Sequence, residues 1–366
     1  MKTSASENMK ILMIGHTQFG YHIDTYFYCQ KKPEDVELTY IGKSRNAAEI
    51  PCKNVNIITI PYRKYISGKI LSTIHYWKTI YTEVSSHEYD LIFIRFSPLC
   101  ALFQICFPSV LFVMDIRTAS VHPSAFKRFL EDKILQLNGF FFRHISVISQ
   151  GLAEKLKISP GKTFILPLGA ESQEITPRNF DALHLLYVGT FYERKIENTL
   201  TGLKAFITRN HDIPIDYELV GDTVGNEYLL DLAQDPILKN KVHFAGYVTH
   251  DQLLPYWEKG NLGISFVPIT EKFDFQPPTK TYEYIAAGMP CIATATQENQ
   301  HVINDINGVL CEDNPESFCS ALEAVWHNRQ KYQSEKIIAS LGDYCWEKIC
   351  NDLYSYFRRL IPSQRK

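Results

Sequence analysis

The sequence predicts two α/β domains, each a doubly wound parallel sheet, on three observations. Its 366 residues exceed what one ordinary core holds and suit two domains. Short apolar runs alternate with amphipathic stretches of helix length, as parallel strands joined by crossover helices do. The alternation lapses over residues 162–181 and restarts at residue 183.

Taken in order, KILMIG, Lys10 to Gly15, is a short apolar run closed by glycine, the form of a first parallel strand. Strands are expected next at Val36–Gly42, Val55–Ile60, Leu91–Ile94, Ser109–Met114 and His144–Ile148, with a helix over Tyr65–Ser86. The most apolar stretch, Leu99–Met114, is interrupted by Gln104 and Pro108 and predicts a short buried helix followed by a buried strand. Nothing reaches the roughly eighteen apolar residues that a membrane span needs.

Lys162–Asp181 carries two prolines and a Pro-Leu-Gly turn, the composition of an interdomain linker. Strands resume at Leu183–Val188, Ile215–Val220, Val242–Phe244, Leu262–Val267 and Cys291–Ala293. Tyr344–Leu360 is an aromatic-rich helix with no strand after it, so it needs a groove to pack into. The expected domains are 1–170 and 171–343, with a C-terminal helix in 344–366.

Composition narrows the function. Hydrophobic residues at 45% and charged residues at 21% are those of a soluble globular protein. A formal charge of −2 and the lack of a basic stripe argue against nucleic acid as a partner. Nine cysteines without C-x-x-C or metal-ligand spacing, behind an N-terminus without the apolar region of a signal peptide, predict a reduced, cytoplasmic protein. No metal site is expected.

The most informative segment is PPTKTYEYIAAGMPCIAT, residues 277–294. Its prolines hold the chain extended, Thr279 reads as an N-cap, helix formers run to Ala287, and Gly288 and Pro290 stop the helix. A helix N-terminus at the carboxyl edge of a parallel sheet offers backbone N–H groups and positive potential to a diphosphate. Glu283, one turn in, can accept hydrogen bonds from neighbouring sugar hydroxyls, or simply stabilise the helix dipole.

A second segment, LLYVGTFYERKIENTLTGLKAF, residues 185–206, is a strand, a glycine turn and a helix that bring Arg194 and Lys195 to a strand's carboxyl end. Cations there meet charge on a departing diphosphate. YELVGD ends at Gly221 and Asp222, and HFAGYV holds Gly246 and Tyr247; such turns let backbone approach a flat ligand. In the first half, Gly15-His16-Thr17-Gln18-Phe19-Gly20 is a glycine-bracketed loop without the lysine of a P-loop. MDIRTASVH puts Asp115, Arg117 and His122 just past a buried strand, where charge favours a site over a core.

These segments resemble the retaining glycosyltransferases of GT-B fold, glycosyltransferase family 4, also described as glycosyl transferase group 1. The Y-V-G, V-G-D and F-x-G-Y turns, the N-L-G-I-S-F strand and the P-x-K-x-x-E-Y-x-A-A-G-x-P block carry the likeness through the C-terminal half. KILMIG, YDLIFIR, HISVISQGLAEKL and ILPLGA extend it more loosely to the N-terminal half. The resemblance implies two Rossmann-like domains with sheets facing across a cleft, the first on the acceptor side.

By that resemblance Glu283 would hold the donor ribose and Lys195 the donor phosphates. The backbone of Pro278 and Thr279, next to Lys280, would border the sugar diphosphate, and Gly246 and Tyr247 the base. Gly189, Thr190, Arg194, Gly221 and Asp222 would complete the donor side, with Gly15, Phe19 and Gly20 opposite. Asp115, Arg117 and His122 fall where the family has an Asp-x-Arg pair or a cleft histidine, and join Lys195 as catalytic candidates. The family's first Glu, eight positions before Glu283, is Phe275 here, beside Asp274, and the Arg after the first turn's Gly is Thr190.

The implied reaction is metal-independent transfer with retention from a nucleotide sugar to a saccharide or polyprenyl-linked acceptor, in surface polysaccharide assembly. No D-x-D occurs to hold a divalent ion. YRKYISGK from Tyr62 and FKRFLEDKILQLNGFFFRH from Phe126 mix cations with aromatics, which fits either peripheral membrane contact or core helices with charged flanks. The rivals are a nucleotide-sugar epimerase of the same fold, a non-catalytic sugar-nucleotide binding protein, and a dehydrogenase. The last lacks G-x-G-x-x-G after the first strand.

Overall fold

A computed structural model describes residues 8–62, 66–86, 88–172, 178–248 and 252–361, with backbone alone at 66–68. The chain forms two units, Met1–Pro167 with Trp346–Lys366, and Leu168–Cys345.

The first unit holds β1 (Met9–Ile14), α1 (Ile23–Gln30), β2 (Val36–Lys43), β3 (Val55–Ile60), α2 (Ile66–Ser85), β4 (Leu91–Arg95) and α3 (Ala101–Cys106). It continues with β5 (Phe112–Ile116), α4 (Ala125–Phe141), β6 (His144–Val147), α5 (Gln150–Lys155) and β7 (Thr163–Ile165). All seven strands pair in parallel, in the order β3-β2-β1-β4-β5-β6-β7. The order reverses between β1 and β4, as a doubly wound sheet requires.

Trp346–Leu360 forms α13, the unit's last helix. It buries Trp346, Ile349, Cys350, Leu353, Tyr354 and Phe357, one stripe at helical spacing. Trp346 stacks on Phe27 with ring centroids 4.9 Å apart, and Tyr356 stacks on Phe164 at 4.1 Å. The Tyr354 hydroxyl donates to Tyr28 O at 2.7 Å. The aromatic helix thus finds its groove against α1 and the sheet.

Four expectations are corrected. Lys162–Asp181 is not all linker, because Thr163–Ile165 adds a strand beside β6. The strand expected at Ser109–Met114 is β5, which begins later and takes in Asp115 and Ile116. The helix within Leu99–Met114 is not buried: α3 covers Ala101 and Phe103 but turns Leu102 and Ile105 to solvent. The core-helix reading of the Phe126 segment also fails, since α4 buries Leu135, Asn138 and Gly139 while its phenylalanines face out. Asn138 Oδ1 accepts from Ala101 N at 3.1 Å, so a polar side chain on the inner face of α4 holds the start of α3. Arg63, Lys64 and Tyr65 lie outside the described residues.

The second unit holds β8 (Leu183–Val188), α6 (Ile196–Arg209), β9 (Ile215–Val220), α7 (Tyr228–Leu232), β10 (Val242–Gly246), α8 (Leu254–Lys259) and β11 (Leu262–Ser265). Then come α9 (Thr279–Ala286), β12 (Cys291–Thr294), α10 (Gln297–Val302), β13 (Gly308–Cys311), α11 (Pro315–Asn328) and α12 (Ser334–Ala339). Its six parallel strands run β10-β9-β8-β11-β12-β13, so the order reverses between β8 and β11. Open sheets of this kind bind ligands at the carboxyl ends of the strands beside that reversal. The two ends of the unit meet, with Ala170 N donating to Tyr344 O at 3.0 Å.

Among the described residues no helix is long and apolar enough to cross a membrane, and the nine cysteines form no disulfide.

Candidate functional site

At the carboxyl edge of the second sheet, three strands end side by side on glycine. Gly189 N donates to Val220 O at 2.9 Å, and Gly221 N to Gly246 O at 2.9 Å. A Cβ on Gly221 would lie 2.1 Å from Gly189 O, so glycine is what lets these turns close together. Beyond the third strand Tyr247 is 77% exposed. Asp222 Oδ1 accepts from Val224 N at 2.9 Å and shapes its own turn. Thr190 is exposed; its Oγ1 accepts from Tyr192 N at 3.2 Å and its carbonyl from the Tyr187 hydroxyl at 2.7 Å.

α9 begins one residue earlier than expected. Pro278, at φ −72° and ψ 118°, is the N-cap, Thr279 is already helical, and no side chain caps the end. The helix is fixed from within the unit. Ser265 Oγ lies 2.7 Å from Thr281 Oγ1, which donates to Asn299 Oδ1 at 2.9 Å, and Asn299 Nδ2 donates to Thr294 O at 2.8 Å. Val188 N donates to the Tyr284 hydroxyl at 3.0 Å, tying α9 to the end of β8. At the other terminus the Arg178 guanidinium donates to Ala287 O at 3.1 Å and to Gly260 O at 2.6 Å, serving the last carbonyls of two helices.

The cations gather near the first glycine turn. Lys280 Nζ lies 3.5 Å from the centroid of the Tyr187 ring and 3.2 Å from where a Cβ on Gly189 would stand. Burial, with the Arg194 charge adding to it, holds the Lys280 amine well below the usual lysine value, and Glu283 works the other way. Arg194 lies over Phe273, its Cζ 4.4 Å from the ring centroid. Lys195 adopts the left-handed conformation at φ 53°, and its Nζ meets Asp313 Oδ2 at 2.7 Å. Glu283, half-buried, is the fifth residue of α9 and so lies past the first turn. Asp274, beside Phe275, accepts from Gln297 N at 2.9 Å and serves the start of α10.

The structure therefore brings Gly189, Gly221, Gly246, Lys280, Arg194 and the N-terminus of α9 together at the strand-order reversal. Lys195 is in an ion pair beside them.

The candidates in the first unit sit in a different setting. Gly15 packs against the Tyr40 ring, Gly20 at φ 85° lies against Ile50, and Phe19 is buried against Tyr26 and Tyr40. Asp115 lies inside β5 rather than past it, because its carboxylate is satisfied there: Ser146 Oγ donates to it at 2.8 Å. Arg117 Nε donates to Asp24 Oδ2 at 2.7 Å, and Arg117 Nη1 lies 3.9 Å from Asp115 Oδ1. Burial pushes the Asp115 carboxyl up while Arg117 pulls it down. His122 is half-buried and turned inward on its own loop, with Nδ1 accepting from Ser124 N at 3.0 Å.

The sequence gives no role to Tyr187 and Tyr284, which lie within its motifs, or to Phe273, Thr281 and Asn299. Tyr187 was visible as an aromatic directly before the Val-Gly turn. The Thr281–Asn299 bond joins residues eighteen positions apart and left no local signal.

Residues 182–328 match the family described as Glycosyl transferases group 1. No curated protein matches the sequence significantly. Among solved structures, sucrose-phosphate synthase from Thermosynechococcus elongatus is similar at TM-score 0.74 and 16% identity, over 96% of this chain and 99% of that one. The lipopolysaccharide outer core galactosyltransferase WaaB, in its apo form, is similar at TM-score 0.71 and 14% identity, over 96% and 100%. Anabaena HepE in complex with UDP and glucose is similar at TM-score 0.67 and 13% identity, over 96% and 100%. The chain has the two-domain α/β fold of the GT-B glycosyltransferases, and its second unit carries the match to glycosyl transferases group 1.

Proposed function

We propose that the protein is a glycosyltransferase that moves a sugar from a nucleotide-sugar donor to a saccharide or lipid-linked saccharide acceptor. One observation carries the reading: a backbone ledge of glycine turns, an uncapped helix N-terminus and a half-buried lysine meet at the strand-order reversal of the matched domain. Each part suits a nucleoside diphosphate. HepE, of similar fold, is described with UDP-glucose.

In this reading the diphosphate faces the N-terminus of α9, with Lys280, Arg194 and Lys195 supplying positive charge and no metal required. Glu283 accepts from the ribose hydroxyls, and Tyr247 borders the base. The glycosidic bond to phosphate breaks as the acceptor oxygen attacks from the same face, and the leaving phosphate takes the acceptor proton. The sugar keeps its anomeric configuration. Assembly of a surface polysaccharide in the reducing cytoplasm is the proposed setting.

A binding-only reading has one observation in its favour. Phe275 stands where the resembled family has its first Glu, and Asp274 is engaged with Gln297 N. Nucleoside diphosphate release from UDP-, GDP- and ADP-sugars in EDTA, for wild type and Glu283→Ala, separates the two. Release from one donor, reduced about 10- to 100-fold in the variant as loss of a charged hydrogen bond predicts, supports the transferase. Binding without release, with acceptors and metal supplied, would replace it with the binding protein.

A further inference from the structure

We infer that the carboxyl edge of the first sheet holds an oxyanion site built on Arg95 and Lys43, which selects an acceptor carrying a phosphate or a carboxylate. The first sheet reverses its strand order between β1 and β4, and such a reversal is where open α/β sheets take ligands. The word acceptor rests on the transferase reading; the anion site stands on the first unit alone.

Three neighbouring strands bring nitrogen groups to this edge. Arg95 is the last residue of β4, Lys43 is the last of β2, and His16 lies just past the end of β1. The turn among them is pinned from two sides. His16 Nε2 donates to Phe96 O at 2.5 Å, joining it to the chain leaving β4, and the Tyr76 hydroxyl donates to Gly15 O at 2.7 Å. Lys43 Nζ lies 4.5 Å from the centroid of the same Tyr76 ring and 3.5 Å from Thr73 Oγ1. The charges of Arg95 and Lys43 both act on the His16 ring, so the two cations flank one turn.

Arg95 is the informative residue. Arg117 is committed to Asp24 and to Leu166 O, and Asp115, whose carboxyl feels the Arg95 charge, accepts from Ser146 Oγ. His22 Nδ1, 3.8 Å from Asp24 Oδ2, adds no charge at neutral pH, because burial brings its pKa down to about 4. Arg117 offsets one of the two buried carboxylates, and Arg95 with Lys43 outweighs the other, which leaves these groups net positive. The Arg95 guanidinium is half-buried, yet it makes no hydrogen bond or ion pair among the described residues. It has lost part of its hydration without gaining a partner, and its planar fork of N–H donors matches two oxygens of a phosphate or carboxylate.

The test is titration calorimetry at low ionic strength on the full chain in saturating UDP. The probes are inorganic phosphate, acetate, glucose 6-phosphate, glucuronate and glucose. Anions should bind and glucose should not, and preference for the phosphates or for the carboxylates names the group. Arg95→Gln should weaken anion binding about tenfold or more, as loss of a charged hydrogen bond predicts, and Lys43→Met about fivefold, as loss of a nearby charge predicts. Arg95→Lys should restore only part. UDP affinity and thermal unfolding should be unchanged in Arg95→Gln, which breaks no contact of its side chain within the protein. No anion bound, or equal anion affinity in wild type and Arg95→Gln, would overturn the inference. Failure of UDP itself to bind would count against the transferase reading, while the Arg95 comparison still decided the anion site.

Discussion

Lys280 Nζ sits 3.5 Å from the centre of the Tyr187 ring, on a half-buried side chain. Its amine is held well below the usual 10.5, so between its folded and unfolded values the native state binds fewer protons. Stability from this group is therefore gained as pH rises through that window and lost as pH falls through the folded value. Lys280→Met should remove this slope from denaturant-unfolding curves measured against pH.

The same lysine predicts a signature of ligand binding, given the proposed donor. A diphosphate beside it favours the ammonium form. Calorimetry of UDP binding in buffers of different ionisation enthalpy, repeated as pH is raised through the lysine's lowered folded value, should show net proton uptake above that value, and none in Lys280→Met. Equal enthalpies across buffers for the wild type at every pH would remove Lys280 from the phosphate site.

Gly221→Ala would push a methyl to 2.1 Å from Gly189 O, a backbone atom that cannot swing away. The expected cost is about 1–3 kcal/mol. Each kcal/mol should lower Tm by about 2–4 °C in a domain of this size. Unchanged Tm would mean that the two turns are looser than their hydrogen bonds imply.

Arg117 joins two carboxylates in the first unit, and Arg117→Met should destabilise by about 3–5 kcal/mol because it leaves buried charge uncompensated. Asp115→Asn keeps the acceptor for Ser146 and should fold. Burial raises the Asp115 carboxyl above 3.8, so its contribution is complete at acid pH and lost as pH rises through the folded value. Relative to Asp115→Asn, the wild type should lose stability on going from acid to neutral pH, which parallel urea titrations would read.

Arg178→Ala should cost about 1–3 kcal/mol by removing the donor to carbonyls ending α8 and α9. Arg178→Lys should recover only part, since an ammonium cannot reproduce the planar fork. Full recovery would show that charge alone is needed.

What the sequence made legible follows from how local each signal is. Leu183–Val188 and Ile215–Val220 are apolar runs cut off by glycine, and both strands lie where that pattern puts them. Thr163–Ile165 sits within the proline-bearing stretch read as linker, and it and Gly308–Cys311 are edge strands, each held by pairing with a single neighbour that lies elsewhere in the sequence. Asp115 hid inside a strand because the groups that make its burial tolerable, Ser146 and Arg117, cannot be seen from its own neighbourhood. The Pro-Pro-Thr-Lys block announced α9, but the depth of Lys280 depends on Tyr187, far back in the chain.

The stacking of Trp346 on Phe27 joins two stretches of chain with all of Leu168–Cys345 between them. During synthesis the second unit has its whole sequence available before the first has its last helix. Domains tend to fold as their residues emerge, so the unit begun second is free to finish first. Until α13 arrives, Phe27, Phe93 and Phe164 lack the partners that cover them. A nascent chain stalled short of residue 346 would expose that bare groove to chaperones and proteases, while Leu168–Cys345 already held its fold.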